Sequence, residues 1–278
     1  MIKYKVSHVT SYEYDTPVAV CQNVVYLTPR TTPHQNCSYH RLTVRPVPAS
    51  PHRRTDYFGN TASLFSLSTG HRKLQITAHS TVELMERSLP PEASTEAWEK
   101  VRDLLPQNRT AAGLSVYQFC FPSPRVPMLA ELRDYGRQSF TPDRPIVEAL
   151  RDLTHRIHTD FSYDPAATTV KTPIAEAFKQ RRGVCQDLAH VMLGCLRPLG
   201  IAARYVSGYL RTHHREGQPR LVGADASHAW VSVYCGDSGW IDADPTNDLL
   251  PSMEHITVAW GRDFGDVCPV AGMFVGGG

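Results

Sequence analysis

The segment Gly183-Val184-Cys185-Gln186-Asp187-Leu188-Ala189-His190 decides the fold of this 278-residue chain. It joins a glycine-containing loop to an apolar stretch that continues to Leu199, and Gly200 follows as a typical residue for the end of a helix. The pattern predicts a helix from about Cys185 to Leu199. The first backbone N–H groups of a helix lack partners and carry partial positive charge. That environment favours a thiolate at Cys185, which would make this side chain a nucleophile.

Two further residues have the chemistry that a thiolate nucleophile needs, namely an imidazole base and a group that orients the imidazole. His228 begins a predicted strand and Asp244 ends the next one, with residues 236–239 as the turn between them. An antiparallel pair of this kind can place both side chains on one face. Taken singly, a cysteine, a histidine and an aspartate before proline more often have structural roles. The ordered set of three favours acyl transfer without a metal.

The second half of the chain alternates between helical and extended patterns. Apolar residues recur at helical spacing from Ile146 to Ile157. A second helix is predicted to begin with Thr172 as N-cap and Pro173 at the first helical position. The helix from Cys185 comes next, and we predict strands at residues 203–209, 229–234 and 240–244. Helices followed by strands indicate an α+β fold, with helices packed on an antiparallel sheet.

The first 90 residues have a different pattern. Polar and apolar residues alternate in runs such as 4–9, 39–44 and 74–78, and turn-forming residues separate these runs. We therefore predict an N-terminal antiparallel β-sandwich-like domain over residues 1–90. Residues 91–144 contain three closely spaced prolines at 122, 124 and 127 and are interpreted as a connector. Residues 145–278 are predicted to form the catalytic core.

Composition excludes several classes of function. Lysine and arginine number 29 against 27 acidic residues, and scattered basic residues argue against a nucleic-acid or membrane partner. The chain has no apolar run long enough to span a bilayer and no signal-peptide pattern at Met1, so a cytoplasmic location is expected. Its 7 cysteines form no CxxC pair, and nucleotide and calcium motifs are absent, so neither a cofactor nor a metal is expected. His213-His214 is expected to lie in an exposed loop.

Four blocks of sequence, in the same order, resemble the core of the bacterial transglutaminase-like family: residues 183–190, 203–209, 228–230 and 244–247. The first 90 residues, with Asp56-Tyr57-Phe58-Gly59-Asn60, and the tail 258–267 resemble two other regions of one bacterial subgroup. The resemblance implies a papain-like core in which Cys185 attacks an amide carbonyl, His228 acts as base and then acid, and Asp244 orients the imidazole. The resulting thioester would pass its acyl group to an amine or to water.

Other residues are candidates for the pocket or the oxyanion hole. The backbone N–H of Cys185 is one donor by position, and the side chain of Tyr163 or Gln180 could supply the second. Gln186 lies in the first helical turn. Trp230 shares a strand face with His228 and either lines the pocket or packs in the core.

Asp187 and His190 are given structural roles. Asp187 is expected to interact with the positive end of the helix, and His190 to pack away from the face of the nucleophile.

The expected partner is a protein or peptide substrate. The sequence leaves open whether an amine or water receives the acyl group, because pocket shape and water exclusion decide this. A homo-oligomer formed through edge strands of the N-terminal domain also stays open. The alternative from another functional class is a catalytically silent scaffold that binds peptides.

Overall fold

The computed structural model describes residues 1–211, 222 and 227–277, which form two compact units. The first unit comprises Met1–Arg87, Ile256–Trp260 and the residues from Val267 onward, and the second comprises Ser88–His255 and Gly261–Asp266. This division differs from the predicted one. Residues 91–144 belong to the same compact unit as 145–255, and two C-terminal segments group with the N-terminal residues. His213 and His214 lie outside the described residues.

The first unit is built on one antiparallel sheet of six strands. Its members are β1 (Ile2–Val25), β2 (Gln35–Arg45), β3 (His52–Thr55), β4 (Thr61–Leu67), β5 (His71–Leu84) and β12 (Val270–Gly276). Their order is β2-β5-β1-β4-β3, and β12 pairs with β1. The long strand β1 pairs with β5 through its N-terminal half and with β4 and β12 through its C-terminal half. The sheet therefore curls around a core that includes Val18, Phe65, Leu74 and Ile76.

Two buried side-chain amides bind the segment Ile256–Trp260 within this unit. The Nε2 of Gln35 donates to the carbonyl of Thr257 at 2.7 Å, and its Oε1 accepts from the Thr257 N–H at 2.8 Å. Asn60, in the predicted turn, makes the equivalent pair of bonds with the backbone of Trp260 at 2.8 and 3.0 Å. The Arg30 guanidinium stacks 3.5 Å from the centre of the Trp260 ring. Gln35, Asn60 and Arg30 thus hold a segment that is about 200 residues or more away in sequence.

The remaining elements are helices and strands. The helices are α1 (Trp98–Leu104), α2 (Ala111–Tyr117), α3 (Ala130–Arg137), α4 (Ile146–Asp160), α5 (Ile174–Gln180), α6 (Cys185–Leu196) and α7 (Phe264–Val267). The strands are β6 (Ser162–Tyr163), β7 (Arg182–Gly183), β8 (Ala203–Leu210), β9 (Ser227–Tyr234), β10 (Trp240–Ala243) and β11 (His255–Gly261). Strands β8, β9 and β10 are antiparallel neighbours. Within the described residues, no helix has the length and apolar character required to cross a membrane.

Helix α6 is the central element of the second unit. Every residue from Gln186 to Leu196 is buried, and the helix packs against β8 and β9 and against α3, α4 and α5. Helix α3 approaches it closely, since a Cβ on Gly136 would lie 2.8 Å from the carbonyl oxygen of Cys195. Residues predicted as a connector therefore form part of the packing around α6. A short helix between prolines gives too few turns for a periodic signal, which is why the sequence pattern did not reveal α3.

The predicted α+β class is confirmed, with an antiparallel N-terminal sheet and helices packed on a second antiparallel sheet. One predicted helix start is wrong. Helix α5 begins at Ile174 with Pro173 as its cap residue, and the Thr172 hydroxyl accepts instead from the Thr169 N–H at 2.9 Å. A local turn thus competes successfully for the threonine oxygen.

Candidate active site

Two short strands place Cys185 at the start of α6. Strand β7 lies parallel to β6 and pairs Gly183 with Tyr163, and Cys185 follows as the first residue of the helix. Just before β7, Arg181 adopts a left-handed conformation with φ 54°. Its guanidinium lies 4.2–4.9 Å from the ring centres of three aromatic residues, Tyr135, Phe161 and Phe178. The backbone segment that precedes Cys185 is therefore held by its pairing with β6 and by the contacts of the Arg181 side chain.

Asp187 caps the helix that carries the thiol. Its Oδ2 accepts from the Val184 N–H at 2.9 Å and from the Thr168 hydroxyl at 2.6 Å. Burial raises the pKa of Asp187, and these two hydrogen bonds oppose that effect. A Cβ on Gly183 would lie 2.6 Å from the same carboxylate oxygen, so the close approach requires glycine. Asp187 thus contacts the N-terminal backbone of α6.

His228 and Asp244 form a buried pair. His228 lies on β9, Asp244 follows β10, and the His228 Nε2 is 2.8 Å from the Asp244 Oδ2. Both side chains have no solvent exposure. A charge-assisted hydrogen bond in such surroundings is strong and keeps its geometry.

The other side of the His228 ring faces the thiol. Within the described residues its Nδ1 has no hydrogen-bond partner, and the Cys185 thiol is the second group, after Asp244, that favours the charged form of this imidazole. Burial would lower the pKa of His228, but Asp244 and then Cys185 raise it to about 10. Cys185 is partly exposed, so it is accessible beside a buried imidazole.

Two residues that the sequence analysis missed complete the surroundings of Asp244. The His255 Nε2 donates to Oδ2 at 2.9 Å, and the Asn247 Nδ2 donates to the same oxygen at 2.8 Å. The backbone N–H groups of Thr246 and Asn247 donate to Oδ1 at 2.9 and 3.3 Å. Burial would raise the pKa of Asp244, but the charge of His228 and hydrogen bonds from both imidazoles hold it well below its usual range.

Different signals were available for the two missed residues. Asn247 follows an Asp-Pro turn, where a side-chain amide commonly bonds nearby polar groups. His255 begins β11, and its contact with Asp244 depends on tertiary packing that no local pattern predicts.

Helix α4 supports the turn after Asp244. The His158 Nδ1 lies 3.0 Å from the Thr246 carbonyl oxygen, and the His155 Nδ1 lies 2.8 Å from the Asp248 Oδ2. The hydrogen bond and charge of Asp248 raise the pKa of His155. Asp248 and His155 also line a polar cavity of about 300 Å³ with charged residues of α4.

Trp230 is fully buried and packs on the imidazoles. Its ring stacks on His228 with centres 6.1 Å apart and meets His255 edge-on at 5.1 Å. The indole N–H donates to Asp242 at 3.0 Å, which fixes the ring. Trp230 is therefore a core residue that packs beside His228, and its predicted role in lining the pocket stays a prediction.

The remaining candidates lie in different surroundings. Tyr163 is exposed, and partial burial of its phenol and then the charge of Cys185 raise the pKa of this group. Gln180 is exposed at the end of α5, and its amide donates to Glu176 at 2.9 Å. Gln186 is buried in the first turn of α6. Burial lowers the pKa of His190 to about 3, and this ring accepts from the Phe264 N–H.

One set of atoms in this site has the spacing for a metal ion. One ring nitrogen each of His228 and His255 and a carboxylate oxygen of Asp244 lie within 4.8 Å of one another. Zinc, at about 2 Å from each atom, would have to replace the proton on both nitrogens. The observed N–O separations of 2.8 and 2.9 Å are those of hydrogen bonds.

Comparison with known proteins identifies two family regions in this chain. Residues 4–83 match the bacterial transglutaminase-like N-terminal region, and residues 133–245 match the transglutaminase-like superfamily. A protein of Mycobacterium tuberculosis without an assigned function is 40% identical over 281 residues, which cover 98% of this chain and 87% of that protein. A protein-glutamine gamma-glutamyltransferase of Pseudomonas aeruginosa is 32% identical over 133 residues, 45% of this chain and 19% of that enzyme.

A solved structure is similar over nearly the whole chain. It is that of a provisionally assigned cysteine protease from Cytophaga hutchinsonii, with a TM-score of 0.79 and 20% identity. The match covers 98% of this chain and 85% of that one. At this identity the similarity concerns the fold.

Proposed function

The chain belongs to the bacterial transglutaminase-like family, and on this premise we propose that it is a cysteine-dependent acyltransferase that acts on peptide or protein amides. The observation that carries the proposal is the position of Cys185, at the N-terminus of α6 and beside the buried His228–Asp244 pair. A thiol in this position can give its proton to the imidazole, and the carboxylate stabilises the imidazolium that forms.

In the first half of the proposed reaction, the Cys185 thiolate attacks the carbonyl carbon of an amide and forms a C–S bond. The carbonyl oxygen becomes an oxyanion. As the oxyanion collapses, the C–N bond breaks and the His228 imidazolium gives its proton to the departing nitrogen. The products are ammonia or an amine and a thioester on Cys185.

The second half regenerates the thiolate. Water or a primary amine attacks the thioester carbon, and His228 accepts the proton of this nucleophile. The C–S bond then breaks, which releases an acid or a new amide and leaves the thiolate–imidazolium pair. Asp244 holds the imidazole in one tautomer throughout, since its carboxylate accepts the Nε2–H bond.

The oxyanion needs hydrogen-bond donors. The first N–H groups of α6 have no partner within the helix, and the Cys185 N–H is one of them. Tyr163 is our candidate for the second donor, because it is paired with Gly183 and lies within the influence of the thiol. Gln180 is the weaker candidate, because its amide already binds Glu176.

The test uses a carbobenzoxy-glutaminyl-glycine peptide, with and without hydroxylamine as amine acceptor. Wild-type protein should release ammonia, whereas Cys185→Ala and His228→Ala should release it at least about 10³-fold more slowly. Cys37→Ala is the matched control, because Cys37 is also a partly exposed free cysteine but lies on β2. Hydroxamate formation would indicate ligation, and glutamate formation would indicate hydrolysis.

A second experiment does not depend on the choice of substrate. Iodoacetamide should alkylate Cys185 selectively below about pH 7, where ordinary thiols are protonated. Labelling of Cys185 no faster than that of Cys37 across this pH range would contradict the proposal and favour a peptide-binding scaffold.

A further inference from the structure

We propose that His255 is a positioning residue of this site, which holds the Asp244 carboxylate so that the His228 imidazole is directed at Cys185. The inference rests on the proposed function, because it concerns the same thiolate–imidazolium chemistry. Its structural basis is the Asp244 Oδ2, which accepts from the Nε2 of His228 at 2.8 Å and from the Nε2 of His255 at 2.9 Å.

The surroundings of His255 indicate that its ring serves as a hydrogen-bond donor through Nε2. The side chain is 3% exposed, and Trp230 packs edge-on against it. Within the described residues its Nδ1 is buried without a hydrogen-bond partner, which costs free energy. An apolar side chain would fill the same space without that cost. The imidazole therefore contributes its Nε2–H, and this hydrogen bond is made to Asp244.

A carboxylate can turn about its last torsion unless both oxygens are held. Two backbone N–H groups hold the Oδ1 of Asp244, while Asn247 and His255 hold Oδ2 in addition to His228. Trp230 stacks on one imidazole and contacts the other, so the three rings pack as one group. Without His255 the carboxylate would lose a donor and a packed neighbour, and the direction of the His228 ring would be less well defined.

The hydrogen bond from His255 also affects the charge of Asp244 that acts on His228. A hydrogen bond from His255 takes up part of the negative charge on Oδ2 and so makes the His228 imidazolium less favourable. Removal of this donor should raise the pH at which the imidazolium loses its proton. Among the described residues, the titratable groups that act on or contact His228 are Cys185 on α6, Asp244 after β10 and His255 on β11, and Asp242 accepts from the neighbouring Trp230 indole.

The test compares His255→Leu, which lacks a donor, with His255→Gln, which keeps an amide N–H. His71→Leu is the matched control, because it removes a buried imidazole from the first unit. We expect His255→Leu to lower kcat about 10- to 100-fold, because Asp244 loses a hydrogen-bond donor that orients it. KM should stay within about twofold of the wild-type value. The alkaline limb of the pH profile should move to higher pH. His255→Gln should recover most of kcat, and His71→Leu should keep the wild-type profile.

Alkylation by iodoacetate provides a readout that needs no substrate. This anionic reagent is attracted by the imidazolium, so its rate of reaction with Cys185 falls when His228 loses its proton. A folded His255→Leu protein with wild-type kcat and an unchanged alkaline limb would overturn the inference, as would a His255→Gln protein as impaired as the leucine variant. If His255→Leu does not fold, His255→Asn replaces it, since its shorter amide does not reach Asp244.

The two proposals fail in different ways. If Cys185→Ala kept wild-type amide activity, the proposed function would be wrong, whereas the iodoacetate profile of Cys185 would still test His255. If Cys185→Ala were inactive and His255→Leu fully active, only the role of His255 would be rejected.

Discussion

The Asp244 carboxylate accepts hydrogen bonds from two imidazoles, one amide and two backbone N–H groups. A buried charge is tolerated only when it is paired and hydrogen-bonded. At the scale of single residues, the candidate site therefore depends on a carboxylate whose two oxygens both accept hydrogen bonds. This carboxylate orients the His228 imidazole beside the Cys185 thiol.

The first residue-scale prediction concerns Asp244→Asn, which keeps the shape of the side chain and removes its charge. We expect kcat to fall about 10³- to 10⁴-fold, because an amide no longer selects the imidazole tautomer or stabilises the imidazolium. Activity should not recover at any pH between 5 and 10. A variant with more than a tenth of wild-type kcat would contradict the role given to Asp244.

The second residue-scale prediction concerns the free energy of unfolding, which should depend on pH differently in the wild type and in Asp244→Asn. The pKa of His228 is raised from 6.5 to about 10, so the stabilisation by this group is complete below about pH 6.5 and is lost as pH rises towards 10. The pKa of Asp244 is lowered, so its contribution is present above about pH 4 and declines in acid. The difference in unfolding free energy between wild type and Asp244→Asn, measured in urea, should be largest between about pH 4 and 6.5 and smaller at pH 10. A difference that increased towards pH 10 would contradict this assignment.

At the scale of secondary-structure elements, the start of α6 depends on a contact between a glycine and its capping carboxylate. In Gly183→Ala the new Cβ would meet the Asp187 carboxylate at 2.6 Å, so the cap must move. We expect a loss of about 1–3 kcal/mol in the free energy of unfolding and slower alkylation of Cys185 at pH 6. Gly70→Ala is the control, because nothing lies within 4 Å of its added Cβ. Equal effects of the two substitutions would refute the role of the cap.

The elements show what a sequence can predict and what it cannot. Cys185, His228 and Asp244 were selected because residue type, order and local pattern coincided, and the structure brings them together in space. Helix α3 was missed because its role comes from close packing on α6 rather than from its own pattern. The predicted cap at Thr172 was wrong because the Thr172 hydroxyl accepts from the Thr169 N–H instead. His255 was missed because its partner lies on another element of the fold.

At the scale of the whole molecule, the first unit uses side-chain amides to bind the strand segment Ile256–Trp260. Gln35→Ala and Asn60→Ala should each lower the stability of this unit by about 1–3 kcal/mol, because each leaves buried backbone groups of the segment without partners. Urea unfolding followed by circular dichroism would measure the change. Asn36→Ala, at an exposed position on β2, is the control and should have little effect. The double variant should lose less than the sum, since both amides bind one segment.

The chain passes between the two units more than once. It leaves the second unit after His255, returns to it for Gly261–Asp266, and ends in the first. No single cut therefore yields two complete pieces. A fragment that stops near residue 90 lacks β12 and the segment that Gln35 and Asn60 bind, and a fragment that begins there carries both without their partners. Exchange of the whole first unit with that of another protein would thus require four junctions, after residues 87, 255, 260 and 266.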